Sequence, residues 1–148
     1  IRGNFDDAQN GVKEIFGDIE FGKQLEDRGV FLSSANSINW GRLVPQIVYY
    51  VSAYCDLINS GEIYAGEKIN VTVPTGNFGN IFAAFLAKQM GLPINRLVCA
   101  SNRNNILTDF LETGTYDRNR EFYTTMSPSM DILISTNLEP LHYTLAGS

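Results

Sequence analysis

An α/β fold is what this sequence predicts, and three observations lead there. Residues 69–73 alternate and are β-branched, residues 81–90 carry an apolar helical pattern after a glycine-rich turn, and residues 97–100 are again apolar and strand-like. Strand, loop, helix, turn and strand fit within about thirty residues, the length of a βαβ unit, and a right-handed crossover lays the two strands parallel in one sheet. The expectation is part of a doubly wound, mostly parallel sheet flanked by helices. Residues 1–148 form a single α/β domain or one slab of a larger domain.

From the amino end, Asn4 precedes Asp6 and Asp7 and an apolar series at Ala8, Val12, Ile15 and Phe16. This predicts an amphipathic helix capped by Asn4, with acids in its positive first turn, ending at Gly17. A second helix is expected over residues 20–28. Gly29 then sends the chain into Val30, Phe31 and Leu32, which have strand character. Residues 33–39 are turn and cap formers, after which Leu43, Ile47, Tyr50, Val51, Tyr54 and Leu57 recur at helical spacing to about Asn59. Pro45 either starts or bends that helix, because it lacks a backbone donor. Beyond the βαβ unit, residues 106–113 predict a short helix stopped by Gly114, and residues 115–120 a polar loop. Residues 122–126 predict a strand, 127–131 a turn, and 137–145 a helix capped by Asn137.

The composition excludes several function classes. A net charge of -5 and eleven scattered Lys and Arg residues leave no electrostatic footprint for nucleic acid or an anionic membrane. Residues 43–58 are the most apolar stretch, but Pro45, Gln46, Ser52 and Asp56 interrupt it, and it falls short of the roughly 20 residues that span a bilayer. No signal-peptide pattern opens the chain, so a cytoplasmic or organelle-matrix location is expected. Cys55 and Cys99 have no Cys or His partner at metal-ligand spacing, and both are expected to be reduced, buried and structural. No metal site is predicted.

Chemistry concentrates in Pro74-Thr75-Gly76-Asn77-Phe78-Gly79-Asn80, between a predicted strand and a predicted helix. Gly76 and Gly79 allow positive φ and close approach, so successive amides can converge on an anion at the helix start. No Lys or Arg lies in this loop and the nucleotide-triphosphate pattern GxxxxGK[ST] does not fit, which leaves a single phosphate monoester as the expected guest. A plain tight turn is the alternative from spacing alone.

This loop resembles the one that threonine synthases place around the phosphate of pyridoxal phosphate, in the fold type II class. Four more segments resemble the same family in the family's order: residues 3–9 (Gly3-Asn4-Phe5-Asp6-Asp7-Ala8-Gln9), 36–42 (Asn36-Ser37-Ile38-Asn39-Trp40-Gly41-Arg42), 100–105 (Ala100-Ser101-Asn102-Arg103-Asn104-Asn105) and 127–132 (Ser127-Pro128-Ser129-Met130-Asp131-Ile132). The resemblance implies a fragment of a lyase that converts O-phospho-L-homoserine and water to L-threonine and phosphate. It implies pyridoxal phosphate as cofactor of the full-length parent, with Gly76, Asn77, Phe78, Gly79 and Asn80 lining its phosphate. Asn36, Ser37 and Asn39 either border the cleft or cap a helix. The rivals are a serine/threonine dehydratase-like or cysteine synthase-like enzyme of the same fold, and a non-catalytic phosphate-binding module.

The family's Schiff-base lysine lies upstream of these segments, so no catalytic residue is assigned here. Lys13, Lys23 and Lys68 stand among acids and turns, and Lys88 lies over two turns into the helix after the loop. The isolated chain is therefore expected to be inactive, with the missing portions of the same enzyme as its partners. His142 is the single histidine and is expected to be a surface or partly packed helix residue. Tyr49, Tyr50 and Tyr54 are expected to pack the long helix rather than form a stacking platform.

Overall fold

The computed structural model describes residues 2–3, 5–37 and 39–147, and not the side chains of Phe5 and Asp6. The chain divides into two compact units, residues 1–35 and residues 36–148.

In the first unit, helix α1 (Phe5–Gly17) is followed by α2 (Ile19–Glu26). The predicted cap at Asn4 lies outside the described residues. The cap of α2 was not anticipated: Asp18 is extended and its carboxylate accepts from the Phe21 N–H at 2.9 Å, satisfying one orphan donor of the first turn. Gly29 takes φ +72, the left-handed turn expected after a helix. The predicted strand at Val30, Phe31 and Leu32 does not form. The segment is exposed and its Val30 N–H is taken by the Leu25 carbonyl of α2, and β propensity without a neighbouring strand makes no sheet.

The second unit begins with α3 (Trp40–Leu43), a 3-10 turn (Val44–Gln46) and α4 (Ile47–Asn59). The long helix thus starts just after Pro45 and runs to Asn59, one of the two outcomes expected for that proline. Pro45 sits in the first positions of the 3-10 turn, where its missing N–H costs nothing. Strand β1 (Ile69–Pro74) leads into α5 (Gly79–Gln89), and β2 (Ile94–Ala100) returns parallel to β1, with Val71 beside Leu97 and Val73 beside Cys99. The expected parallel βαβ unit is present.

Next comes α6 (Ile106–Thr113), ended by Gly114 at φ +74, then a long irregular stretch, a 3-10 turn (Pro128–Met130) and α7 (Leu138–Ala146). Residues 122–126 form no strand. Their polar groups are taken by side chains instead, as Asn104 Oδ1 accepts from the Tyr123 N–H and Asp131 from the Thr125 N–H.

Leu43, Val73, Phe78, Ile81, Phe82, Ile106, Leu107 and Leu138 form the core of this unit. α5 is its centre, with Ala83 and Ala84 fully buried, so the helix can lie close against its neighbours. The two cysteines are free. Cys99 is half-buried in β2, and burial raises its thiol pKa while a hydrogen bond with Thr75 works against that rise. Cys55, expected to be buried, is exposed on α4. No helix among the described residues is long and apolar enough to cross a membrane.

Candidate functional site

The loop between β1 and α5 leaves most of its backbone amides without an acceptor among the described residues. Thr75 closes β1 by donating its N–H to the Ala100 carbonyl at 2.8 Å and its hydroxyl to Val73. The next backbone donor in use is that of Phe82, which bonds the Phe78 carbonyl at 3.0 Å as the first full turn of α5. Between them, no described residue accepts from the amides of residues 76–81. Three of these, at Gly79, Asn80 and Ile81, are the orphan donors that any helix start presents, and the helix dipole adds partial positive charge there. Phe78, in the N-cap position, makes no side-chain cap that would quench them.

The expected backbone freedom of the glycines resolves differently. Neither Gly76 nor Gly79 takes a positive φ; Phe78 does, at φ +68. This left-handed residue turns the strand into the helix while its ring anchors in the core at 6% exposure. The glycines are required by space. A Cβ on Gly79 would lie 2.5 Å from Ser37 Oγ and 2.7 Å from Ser37 Cβ, and one on Gly76 would lie 2.8 Å from Ile132 Cδ1 and 3.2 Å from the Ser129 carbonyl. Two of the sequence segments singled out above, at residues 36–42 and 127–132, thus press directly on the loop.

Of the five predicted site residues, Gly76, Phe78 and Gly79 are buried in the loop, Asn77 is half-buried and Asn80 is exposed. Asn77 Oδ1 is buried without a hydrogen-bond partner among the described residues, an arrangement that costs about 1–3 kcal/mol unless a bound group supplies a donor. Free amides, a helix start and one orphaned buried polar atom suit a phosphate-bearing guest.

Three neighbours of the loop were not expected there. The Tyr50 hydroxyl, on α4, contacts both the carbonyl of Asn80, at 3.0 Å, and its Oδ1. Burial pushes the Tyr50 pKa up to about 12, so the hydroxyl remains a donor at neutral pH. Ser135 Oγ donates to the Gly76 carbonyl at 2.5 Å. Asn137 donates its backbone N–H to the Asn77 carbonyl at 3.1 Å, and its Nδ2 to the same carbonyl and to Ser37 Oγ. Asn137 therefore makes no side-chain cap on α7, contrary to expectation. Asn39 does cap α3, accepting from the Gly41 N–H at 3.0 Å. Tyr54 packs as expected, buried and bonded to Glu67 and Gly66, whereas Tyr49 is exposed.

A second polar cluster lies at the carboxyl end of β2. The buried Asp131 carboxylate accepts from the Thr125 N–H and hydroxyl, from Asn102 Nδ2 and from Asn104 Nδ2, at 2.7–3.1 Å. The Thr125 N–H is the main cause of a pKa below the ordinary carboxylate value. Nearby, the Arg103 guanidinium stacks 3.7 Å over the Tyr123 ring. The single histidine, His142, is exposed on α7 beside Phe110, with no catalytic partner among the described residues.

Neither lysine of this unit stands at the loop. Lys88 belongs to the last turn of α5, roughly 14 Å along the helix from Gly79, and its Nζ donates to the Asn95 carbonyl at 2.7 Å. Lys68 precedes β1, at the opposite end of that strand.

No family model matches the chain. Among curated proteins, it is 53% identical over 149 residues to mouse threonine synthase-like 1, covering 99% of this chain and 20% of that protein. It is 43% identical over 146 residues to threonine synthase of Saccharomyces cerevisiae, covering 99% of this chain and 27% of the yeast protein. The solved structure of pyridoxal-phosphate-bound threonine synthase from Brucella melitensis superposes with a TM-score of 0.79 at 49% identity, over 99% of this chain and 29% of that one. The chain thus spans between a fifth and a third of the proteins that it matches. Sequence and fold agree: over nearly its whole length the chain is similar to one segment of threonine synthases, and it shares the α/β architecture of that segment.

Proposed function

We propose that this segment supplies the phosphate-binding wall of a pyridoxal-phosphate enzyme, a carbon–oxygen lyase that converts O-phospho-L-homoserine and water to L-threonine and phosphate. The observation that carries this reading is the run of amides at residues 76–81 with no acceptor among the described residues, at the start of a buried eleven-residue helix. Gly76, Asn77, Phe78, Gly79 and Asn80 hold the cofactor phosphate through their backbone, and the α5 dipole favours its charge. When bound, pyridoxal phosphate supplies the electron sink for chemistry at the substrate carbon.

The segment contributes binding and orientation rather than proton transfer. Lys68 and Lys88 are remote from the loop, and the resemblance puts the lysine that joins the cofactor in another portion of the full-length protein, so residues 1–148 alone are inactive. The location is the cytoplasm, and the partners are the small-molecule substrate and the remainder of the same enzyme.

The test uses the full-length protein. Pyridoxal phosphate is titrated in, the complex is reduced with borohydride, and the modified lysine is mapped; phosphate and threonine are then measured with O-phospho-L-homoserine as substrate. The expected result is a single adduct outside residues 1–148, with threonine and phosphate in equal amounts. An adduct on Lys13, Lys23, Lys68 or Lys88, or phosphate release without threonine, would contradict the reading.

A further inference from the structure

The direction in which the loop amides point is set from behind, by a segment some sixty residues later. Ser135 Oγ holds the Gly76 carbonyl, and Asn137 holds the Asn77 carbonyl through both its backbone N–H and its side chain. A peptide unit is planar and trans, so its C=O and N–H point opposite ways. The Gly76 carbonyl shares its plane with the Asn77 N–H, and the Asn77 carbonyl shares its plane with the Phe78 N–H. Pinning the two carbonyls against residues 135–137 therefore aims those two N–H groups away from that segment, where no described residue accepts them.

The same bonds secure the unusual backbone of the loop. Phe78 is the only described non-glycine residue at positive φ. A left-handed phenylalanine persists only where its surroundings over-determine it. Its ring is held in the core, and the peptide plane before it is held by Asn137. The side-chain amide of Asn137 is itself oriented, because both of its side-chain partners, the Asn77 carbonyl and Ser37 Oγ, take a donor.

We propose that Ser135 and Asn137 are positioning residues of the phosphate site: by holding the Gly76 and Asn77 carbonyls they preset the Asn77 and Phe78 amides for a phosphate monoester. The inference rests on the reading of the loop given under Proposed function. Its consequence is selective. Loss of either side chain weakens binding of the phosphate of the cofactor and leaves binding of the rest of the cofactor unchanged, which a merely structural role would not do.

The experiment compares pyridoxal phosphate with pyridoxal, which lacks the phosphate, in equilibrium titrations of the full-length protein. Inorganic phosphate is the competitor, and the variants are Ser135→Ala, Ser135→Thr and Asn137→Ala. Wild type is expected to prefer pyridoxal phosphate strongly. Ser135→Ala and Asn137→Ala are expected to lose tenfold or more in affinity for pyridoxal phosphate, with pyridoxal binding changed less than twofold. Ser135→Thr, which keeps the hydroxyl, is expected to restore affinity to within about threefold of wild type. Should one alanine variant fail to fold, the other carries the comparison together with Ser135→Thr. Equal losses for both ligands, or no loss for either, would overturn the inference while leaving the loop reading intact. A wild type without preference for the phosphorylated ligand would overturn both.

Discussion

Replacing Gly79 by alanine tests whether space, rather than backbone freedom, fixes this position. Gly79 opens α5 at a negative φ, so alanine is conformationally admissible there and even gains up to about 1 kcal/mol of intrinsic helix propensity. The new methyl, however, would stand 2.5 Å from Ser37 Oγ and 2.7 Å from Ser37 Cβ. Rotating the hydroxyl relieves the first contact but not the second, because Cβ moves only with the backbone. Overpacking of this kind costs about 1–3 kcal/mol, and displacing Ser37 also breaks its hydrogen bond with Asn137, at about 1 kcal/mol more. The net expectation is a loss of about 1–3 kcal/mol. For a urea slope of about 2 kcal/mol/M this lowers the midpoint by roughly 0.5–1.5 M. The decisive assay is a double-mutant cycle in urea with Ser37→Gly, which removes the obstructing Cβ. The pair should be less destabilised than the sum of the singles by at least about 1 kcal/mol. Additivity within about 0.5 kcal/mol would refute the packing explanation for this glycine.

Three further outcomes follow from the same geometry. Tyr50→Phe removes the hydroxyl bonded to Asn80, at about 0.5–1.5 kcal/mol in urea, and deletes the last-titrating component of the tyrosine absorbance near pH 12. Because the folded pKa of Tyr50 is raised, its contribution to stability is complete below about pH 10 and is lost as pH rises towards 12; a wild-type titration with all tyrosines ionising together would contradict this. Asp131→Asn lowers the urea midpoint, because an amide cannot accept from all the donors that face the carboxylate. The depressed pKa of Asp131 means its contribution is present above the ordinary value of 3.8 and is lost as pH falls through the folded value, so the variant should show a shallower acid-side decline than wild type. Residues 1–148 alone should release no phosphate from O-phospho-L-homoserine above a buffer blank, since the lysine that joins the cofactor is proposed to lie outside them; measurable release by the purified chain would contradict it.

The βαβ unit was legible because its signals are local. β-branched alternation marks 69–73, the apolar helical pattern marks 81–90, and Gly114 ends α6 where a left-handed residue is needed. Residues 30–32 and 122–126 carry the same strand chemistry and form no strand, because a strand exists only if another chain segment arrives to share its hydrogen bonds, and that arrival is not written in the segment itself. The loop itself was legible as to place but not as to mechanism. Its glycines suggested positive φ, whereas the left-handed residue is Phe78 and the glycines yield to Ser37 and Ile132. Tyr50, Ser135 and Asn137 reach the loop across 30, 59 and 60 residues of sequence, separations that no periodicity or motif spacing reveals. Cys55 was expected to be buried because a cysteine within a helix usually packs as a small hydrophobe; it is exposed, as are Val48 and Tyr49 of the same helix.

The most direct test of the phosphate loop is the affinity of Asn80→Asp for pyridoxal phosphate in the full-length protein. The substitution is isosteric, its carboxylate can still accept from the Tyr50 hydroxyl, and a negative charge in the first turn of α5 favours the helix by about 0.3–1 kcal/mol. Against a phosphate held on the same helix start, at about 5 Å and an effective dielectric near 20, that charge repels by about 3 kcal/mol, and screening at this exposed position reduces the figure. Stability and affinity should therefore move in opposite directions: a urea midpoint equal to or above wild type, with affinity for pyridoxal phosphate at least tenfold weaker. Unchanged affinity for pyridoxal phosphate in a folded Asn80→Asp protein would show that the phosphate binds elsewhere.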